Sequence, residues 1–407
     1  MSILTVKEAS TRIGDDLIAF AQRLVQTPSI SGQERAVAEL IVNEMKKLAY
    51  DEVFTDDMGN VVGIIKGSGQ GENLMFNSHM DHVDPGRLET WKYDPYGGVI
   101  DEGYLYGRGS CDMKAALASQ VYAGALIKDL GLDHKGDILV TSVVLEEPAE
   151  CLGIAHLCDV TFAQRGIRVD FVVLGEPCGL KFVLGHRGHV ELEVTTVGRM
   201  SHSSAPWCGI NAVYKMLPVI SRVQALDATL PTHDILGKAA INLITISCSP
   251  GRLSIIPDLC TVSLDLRLVP GQTVEQTLAE IEGIVNDIGQ GDHEFKASVR
   301  VREVEEESYT GIRTVGRKAK PPWLIPADHP KVIKAWNAVR KLGHKPEFSY
   351  SAYATDGSHT AGILGIPTIS YGPGEEELAH TPQERVRVTS IIESAAGNVA
   401  IAMAITG

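Results

Sequence analysis

The sequence is poor in cysteine and lacks any close cysteine pair. Its 407 residues contain seven cysteines, and none of them forms a CxxC motif. An odd number of scattered cysteines argues against a disulfide framework and is typical of a reducing compartment. The first ten residues, MSILTVKEAS, also lack a basic start followed by an apolar run, so they do not resemble a secretion signal. We therefore expect a cytoplasmic protein.

Long apolar runs and an excess of positive charge are also absent. No stretch of ~18 apolar residues occurs, so we expect no membrane partner. The formal net charge is −14, which repels phosphate backbones and argues against a nucleic-acid partner. Apolar residues make up 44% of the chain and charged residues 22%, which is ordinary for a globular protein. The length exceeds that of one typical domain, so we expect two.

Most of the chain alternates between helix and strand patterns. Apolar residues have helical spacing at residues 13–27, at residues 32–48 and at Met113–Leu130. Continuous apolar runs rich in β-branched residues indicate buried strands, and they occur at Asp137–Leu145, Asp170–Leu174 and Pro367–Tyr371. Buried strands separated by helices predict an α/β fold whose sheet is covered by helices on both faces.

A glycine-rich segment, Gly67–Gly71, separates two further predicted strands, Asn60–Lys66 and Asn73–Ser78. Phosphate-binding loops are also rich in glycine, but no GKS or GKT follows here and no helix starts. We interpret the segment as the turn of a hairpin that joins the two strands.

Residues 188–303 have a different pattern. Their predicted elements follow in the order strand, helix, strand, strand, helix, strand, at Val190–Val197, Asn211–Val223, Ala240–Ser247, Cys260–Leu268, Val274–Ile288 and Phe295–Val301. This order is that of the split, ferredoxin-like arrangement. We therefore predict that residues 188–303 form an inserted domain and that residues 1–187 and 304–407 form the first domain. Helices near His329–Leu342 and at Thr389–Ala404 complete that first domain.

Residues capable of binding a metal follow four apolar runs of the first domain, and a fifth ends a glycine-rich turn just before the helix predicted at Met113–Leu130. The side chains in question are His79, Asp112, Glu147, Glu176 and His380. In open α/β sheets, ligand sites form beyond the carboxyl ends of the strands, so residues distant in sequence meet there. Imidazole and carboxylate groups suit zinc, with cobalt and manganese as alternatives. We predict two divalent ions that share Asp112, with His79 and Glu176 on one ion and Glu147 and His380 on the other.

Two neighbouring carboxylates have separate predicted roles. Asp81 lies two positions after His79 and points the same way in an extended segment, so it would orient the imidazole. Glu146 precedes Glu147 and projects differently, so it would act as a general base toward the attacking water. A single histidine at a strand end is more often structural, and paired glutamates more often lie on a solvated surface. The combination of these residues at several strand ends favours the metal site.

At these residues the sequence resembles a known family. The stretches that carry the resemblance are SHMDHVDPGRLETWKYDP, YGRGSCDMKAALAS, VVLEEPAE, VLGEP, GRMSHSSAPWCGINA and GPGEEELAHTP. They resemble the dinuclear zinc hydrolases that include acetylornithine deacetylase, succinyl-diaminopimelate desuccinylase, aminoacylase and glutamate carboxypeptidase. The segment from Ser349 to Pro382 is most similar to a branch of deacetylases and dipeptidases associated with selenium-linked or purine-related gene neighbourhoods.

The resemblance implies a zinc-peptidase-like catalytic domain with a mixed sheet flanked by helices. It implies the same metal ligands and the same roles for Glu146 and Asp81. It also implies that the inserted domain acts as a lid and forms a homodimer through residues 188–303. His202 matches the family histidine that stabilises the oxyanion, often across the dimer. From the residues alone, a surface loop histidine is an equal alternative, since serines surround it, and the resemblance favours the functional role.

One position departs from the family. Ser254 stands where many relatives have an asparagine that helps to hold the substrate, and a hydroxyl cannot replace an amide's donors. Familiar substrates are therefore in doubt. Arg252 could compensate or be a solvated loop residue, and a polar group near the expected site offers further contacts at Asp356, Ser358 and His359. Cys111 beside Asp112 is interpreted as a small buried residue and not as a nucleophile.

The expected function is hydrolysis of an amide bond in an N-acyl amino acid or dipeptide-like small molecule. A strict dipeptidase or carboxypeptidase is one alternative. A non-catalytic metal-binding relative is the other, although such a relative would be expected to lack the base or a ligand. A nucleotide-binding α/β protein would need GxGxxG after its first strand, and the sequence has none.

Overall fold

The computed structural model describes residues 3–148 and 151–407 of the chain. The α-helices of this part are α1 (Ile3–Arg12), α2 (Gly14–Val25), α3 (Arg35–Lys47), α4 (Ala115–Asp129), α5 (Leu152–His156), α6 (Ala163–Arg165), α7 (Ala212–Leu226), α8 (Val274–Gly291), α9 (Pro330–Lys341) and α10 (Val388–Thr406). All the longer helices predicted from apolar spacing are present, with ends shifted by a few residues.

A mixed sheet of nine strands forms the centre of the fold. Its strands are β1 (Glu52–Thr55), β2 (Val61–Ile65), β3 (Leu74–His79), β6 (Ile138–Val143), β7 (Phe171–Leu174), β8 (Phe182–His186), β20 (Trp323–Leu324), β21 (Phe348–Ser351) and β22 (Thr368–Ser370). The order is β1-β2-β6-β3-β7-β22-β8-β20, and β21 also pairs with β8. The neighbours β6, β3, β7 and β22 run parallel. The predicted α/β fold with a mixed, helix-flanked sheet is confirmed.

The predicted hairpin between β2 and β3 is wrong. Strand β6 lies between them, antiparallel to β2 and parallel to β3. The glycine-rich segment instead packs against the residues just before β6, where the Gly69 amide donates to the carbonyl of Lys135 at 2.8 Å. A Cβ at Gly71 would lie 2.3 Å from the Gly136 nitrogen, so this close backbone approach requires glycine.

A second sheet lies within residues 188–320. Its strands are β9 (Gly188–Val197), β13 (Ala240–Ser249), β15 (Leu259–Leu268), β16 (Lys296–Val301) and β19 (Ala319–Lys320). The order is β13-β15-β9-β16 with every pair antiparallel, and β19 pairs with β9. Together with α7 and α8, these strands follow the chain order expected for a ferredoxin-like unit. They surround their own apolar core, which includes Leu192, Met216, Leu264 and Ile281. The boundaries of the two predicted domains remain a prediction.

The remaining strands form small sheets. They are β4 (Ile100–Asp101), β5 (Tyr104–Tyr106), β10 (Ser201–His202), β11 (Thr232–His233), β12 (Gly237–Lys238), β14 (Ile255–Ile256), β17 (Glu303–Glu307), β18 (Arg313–Arg317) and β23 (Arg385–Arg387). The β17–β18 hairpin reaches the first sheet's side of the molecule, where the Tyr309 hydroxyl donates to the Gly59 carbonyl at 3.0 Å. This contact links the chain leaving the second sheet to the loop before β2.

Helix α10 is the one helix in the described residues that is long and apolar enough to cross a membrane by length and composition. Within its most apolar stretch of 18 residues, 56% is buried inside the fold, and the helix contacts α4, α9 and α1. A central helix of a large core has the same properties, so this feature is weak evidence for a membrane span.

Candidate active site

The sheet brings the predicted metal ligands to one edge. His79 ends β3, Glu147 follows β6, and Glu176 follows β7 by two residues. Asp112 precedes α4, and His380 lies in the loop after β22. Because β6, β3, β7 and β22 are parallel, their carboxyl ends share this edge. All five side chains line one cavity of about 270 Å³.

Asp112 lies at the centre of this group. Its Oδ1 is 3.0 Å from Nε2 of His79, and its Oδ2 is 3.2 Å from Nε2 of His380. His380 in turn lies 3.1 Å from Oε2 of Glu147. Each oxygen of one carboxylate therefore faces a different imidazole. Ligand atoms of His79, Asp112 and Glu147 lie within 4.8 Å of one another.

Several carboxyl groups are buried close together in this group, and their pKa values are shifted accordingly. Burial opposes the ionisation of Asp112, but hydrogen bonds with His380 and His79 hold its pKa well below its usual range. Burial and nearby Asp112 raise the pKa of Glu147 to about 7 and that of Glu176 well above its usual range. Hydrogen bonds to Asp112 and Glu147 raise the pKa of His380 to about 10. Buried carboxylates that outnumber their imidazole partners fit a site for divalent cations, which would compensate this charge.

Backbone conformation also marks the site. Leu145, directly before Glu146 and Glu147, has φ of +52°, and His380 has φ of +61°. Residues other than glycine rarely adopt this left-handed region, and bulky ones do so at a cost. Such strain is common where a structure holds functional side chains in place. Here it positions two glutamates and one imidazole around Asp112.

Asp81 is fully buried and contacts His79 differently from the prediction. Nδ1 of His79 is 3.0 Å from the main-chain carbonyl of Asp81 and 3.7 Å from its carboxylate. The carboxylate accepts hydrogen bonds from the amides of Glu146 and Glu147, at 3.2 and 3.1 Å, and from the Ser31 hydroxyl at 2.7 Å. Asp81 thus connects the end of β3 to the segment after β6, and its main-chain carbonyl orients the ring of His79.

Glu146 has a cationic partner that the sequence did not reveal. The Lys320 ammonium donates to Oε1 of Glu146 at 2.9 Å, and both side chains are buried. Asp356, predicted as a substrate contact, is buried beside Glu146 and accepts a hydrogen bond from Asn77 at 2.7 Å. No local pattern distinguishes Lys320, because its partner is 174 positions away.

Glu384 is the second group that sequence reasoning missed. Its carboxylate accepts from the amides of Cys111 and Asp112, at 3.0 and 3.1 Å, and forms a buried ion pair with Arg108. It therefore holds the backbone on which Asp112 is carried. The available signal was its position four residues after His380, in the stretch HTPQE.

Other predicted residues lie outside the cavity. His202 is exposed in β10, with its ring 2.7 Å from the Ser204 hydroxyl, and it is not among the residues that line the cavity. Ser254 lies in the turn before β14, and its carbonyl accepts a hydrogen bond from the amide of Ser203, next to His202, at 3.0 Å. Arg252 comes just before the same turn. Ser358 donates to the Pro321 carbonyl and His359 pairs with Asp159. Neither of these two residues lines the cavity.

Cys111 is fully buried and its thiol donates to the Glu375 carbonyl at 3.1 Å. Burial raises the pKa of this thiol well above its usual range. This agrees with its interpretation as a small buried residue. All seven cysteines lie in the described part of the chain and are free thiols.

The second sheet supplies part of the cavity wall. His189 of β9 and Arg267 of β15 line the cavity together with Lys320, Tyr353 and Glu376. Asp265 holds both of the first two side chains, accepting from Arg267 at 3.0 Å and lying 2.9 Å from His189. The cavity thus has the candidate metal ligands on one side and an oriented guanidinium on another.

The fold and this site define the class of protein. The model of peptidase family M20/M25/M40 matches residues 75–404, and the chain belongs to that family. It is a hydrolase of amide or peptide bonds, as the sequence motifs predicted.

Similar proteins agree with this assignment. The chain is 35% identical over 389 residues to protein YgeY of Escherichia coli strain K12, with 95% of this chain and 93% of that protein covered. It is 28% identical over 384 residues to succinyl-diaminopimelate desuccinylase of Corynebacterium glutamicum, with 94% of each covered. The structure of Bacillus subtilis YXEP, a dinuclear metal binding peptidase, matches with a TM-score of 0.73 at 15% identity, covering 97% of this chain and 99% of that one.

Proposed function

We propose that the chain uses two divalent cations, zinc being expected and cobalt or manganese the alternatives, to hydrolyse an N-acyl amino acid or a dipeptide. His79, Asp112 and Glu176 would hold one cation, and Asp112, Glu147 and His380 the other. The observation that carries this proposal is the central carboxylate of Asp112, which presents one oxygen to each imidazole. Such cations, when bound, supply Lewis-acid activation of water and of the substrate carbonyl.

The residues of the chain would move the proton and orient the substrate. Glu146 takes a proton from water as the water oxygen attacks the carbonyl carbon of the substrate. Glu146 then returns that proton to the leaving nitrogen as the C–N bond breaks. Arg267 faces the cavity with its guanidinium oriented by Asp265. A guanidinium suits the free carboxylate of an amino acid or dipeptide. A cavity of about 270 Å³ supports a small substrate.

The test is a substrate screen on the purified chain after metal loading. N-acetyl and N-succinyl amino acids and dipeptides are compared by kcat/KM, and bound metal is measured in the same sample. We expect hydrolysis by the wild-type chain and a loss of about 10³-fold in kcat for Glu146→Gln with its metal content unchanged. Exclusive cleavage of dipeptides would identify a strict peptidase. Full activity after complete chelation would refute the proposal.

We also propose a homodimer through the second sheet. Strand β13 is an edge strand with exposed apolar side chains, and α7 beside it exposes two more. The side chains are Leu243, Ile244, Ile246, Tyr214 and Leu217. An exposed apolar edge strand favours pairing with a second copy. In such a dimer, His202 of one copy would face the cavity of the other copy. Its neighbours Trp207 and Leu253 are 78% and 98% exposed, so this surface is open to a second copy.

Light scattering tests the dimer. Ile244→Lys should shift the chain to a monomer. Leu88→Lys should not, because Leu88 is exposed in the first domain, distant in sequence from β13. Mixing His202→Ala with Glu146→Gln chains should restore about a quarter of wild-type activity if His202 acts across the dimer, because random pairing leaves one intact site in half of the dimers. No restoration would refute the proposed role of His202.

We further propose a cytoplasmic location. Free thiols at all seven cysteines support a reducing compartment. Cell fractionation with an antibody against the chain would test this, and recovery from an oxidising compartment would contradict it.

A further inference from the structure

Lys320 lies beside the carboxylate proposed as the general base. Its ammonium is 2.9 Å from Oε1 of Glu146, and the two side chains are 10% and 9% exposed. A hydrogen bond between two charged groups in a buried place is strong and directional. One oxygen of Glu146 is therefore fixed by Lys320.

The backbone that carries Lys320 is held where the two sheets meet. Lys320 pairs with His189 in the second sheet, and three residues later Trp323 pairs with His186 in the central sheet. Pro321 and Pro322 lie between them and restrict the backbone. The Ser358 hydroxyl also donates to the Pro321 carbonyl at 2.9 Å. These contacts leave the Lys320 backbone little freedom, so its side chain can act as a fixed reference for Glu146.

A second carboxylate lies beside the pair of Glu146 and Lys320. Asp356 is buried, and ligand atoms of Glu146, Cys151 and Asp356 lie within 4.8 Å of one another. Oδ2 of Asp356 accepts from Asn77, whereas Oδ1 finds no hydrogen-bond partner in the residues that the structure describes. Two carboxylates this close repel each other when ionised. Lys320 offsets that repulsion and keeps Glu146 from rotating away.

We propose that Lys320 is a positioning residue for the hydrolytic reaction. By fixing Oε1 of Glu146, it leaves Oε2 to receive the proton of the attacking water. Lys320 acts through Glu146 and makes no contact with the substrate. This inference rests on the proposed function, in which Glu146 is the general base.

The first experiment compares kcat with KM. Lys320→Met keeps the length of the side chain and removes its charge, and we expect kcat to fall roughly 10- to 100-fold with KM within about threefold of wild type. Lys320→Arg retains a charged donor and should recover most of kcat, and Lys320→Gln should resemble Lys320→Met. Two bound metal ions per chain should remain in each variant. The control is Lys331→Met, which removes a comparable ion pair, 2.8 Å from Glu72, outside the cavity, and should leave kcat unchanged.

The second experiment is a double-mutant cycle. In a Glu146→Gln chain, adding Lys320→Met should cause no further loss of kcat, because the two residues act as one unit. A further loss would show that Lys320 acts independently of Glu146 and would overturn the inference. A raised KM with unchanged kcat would do the same by assigning Lys320 to substrate binding.

The two proposals fail in different ways. An active wild-type chain, an inactive Glu146→Gln chain and a fully active Lys320→Met chain would overturn the role of Lys320 alone. A wild-type chain without activity on any N-acyl amino acid or dipeptide, or a fully active Glu146→Gln chain, would overturn both. If Lys320→Met does not fold, Lys320→Gln and Lys320→Arg decide between the same outcomes.

Discussion

The central sheet and the second sheet bury their strands in different ways. Strands β3 and β6 are buried at every position, whereas β9 and β15 alternate between buried and partly exposed residues. A sheet covered on both faces keeps its strand ends rigid. All five proposed metal ligands lie at or after the ends of central-sheet strands, or beside that sheet. The second sheet keeps one face accessible and contributes His189, Arg267 and Lys320 to the cavity wall.

This difference suggests a division of labour. Groups that need fixed mutual distances lie at the ends of fully buried strands. The groups proposed to meet the substrate or a second copy of the chain lie on the half-covered sheet. Substitutions in the first region should therefore act on kcat, metal content and stability. Those in the second should act on KM and assembly, except at Lys320, whose ammonium contacts Glu146 and should act on kcat.

The largest effect is expected for Asp112→Asn. The amide keeps the shape of the side chain but loses the charge that both cations would share. We expect bound metal to fall below two ions per chain and kcat to fall by about 10³-fold or more. Metal analysis and steady-state kinetics measure both quantities. The control is Asp101→Asn, which alters an exposed ion pair with Lys92. Normal metal content in Asp112→Asn would contradict the assignment of the metal ligands to the central sheet.

A smaller effect is expected for Glu384→Gln. This change leaves the buried Arg108 guanidinium without an opposite charge, and breaking a buried ion pair on one side costs about 3 kcal/mol of stability or more. Urea denaturation measures the loss. The exposed Glu89→Gln change should have no such effect. If the stability of Glu384→Gln equals that of wild type, the rigidity assigned to the Asp112 turn would be wrong.

The smallest effect is expected for Arg267→Met in the second sheet. Loss of the guanidinium should raise KM roughly tenfold, equal to about 1.4 kcal/mol of binding, with kcat within about threefold. Kinetics on an N-acyl amino acid and on its amide, which lacks the carboxylate, sharpen the test, because only the acid should respond. Arg300→Met, in the partly exposed pair with Glu193, is the control. A fall in kcat instead of a rise in KM would contradict the division between the sheets.

Much of this site could be predicted because its residues follow easily recognised strands. His79 ends β3, and Glu147 and Glu176 follow β6 and β7 within four residues. Parallel strands bring such ends together. The pairing of β2 and β3 was predicted wrongly because local turn residues do not reveal an intervening strand from elsewhere in the chain. Lys320 and Glu384 were missed for a related reason, since their partners are 174 and 272 positions away.

The left-handed backbone at His380 affects how the residue can be probed. Alanine there would remove the imidazole, and it would also adopt positive φ less readily than histidine. Loss of the imidazole and strain in the backbone would then be mixed in one measurement. Asparagine adopts positive φ more readily than most residues. His380→Asn therefore changes the donor group while sparing the loop, and a comparison with His380→Ala separates the chemistry of the side chain from the shape of the segment that carries it.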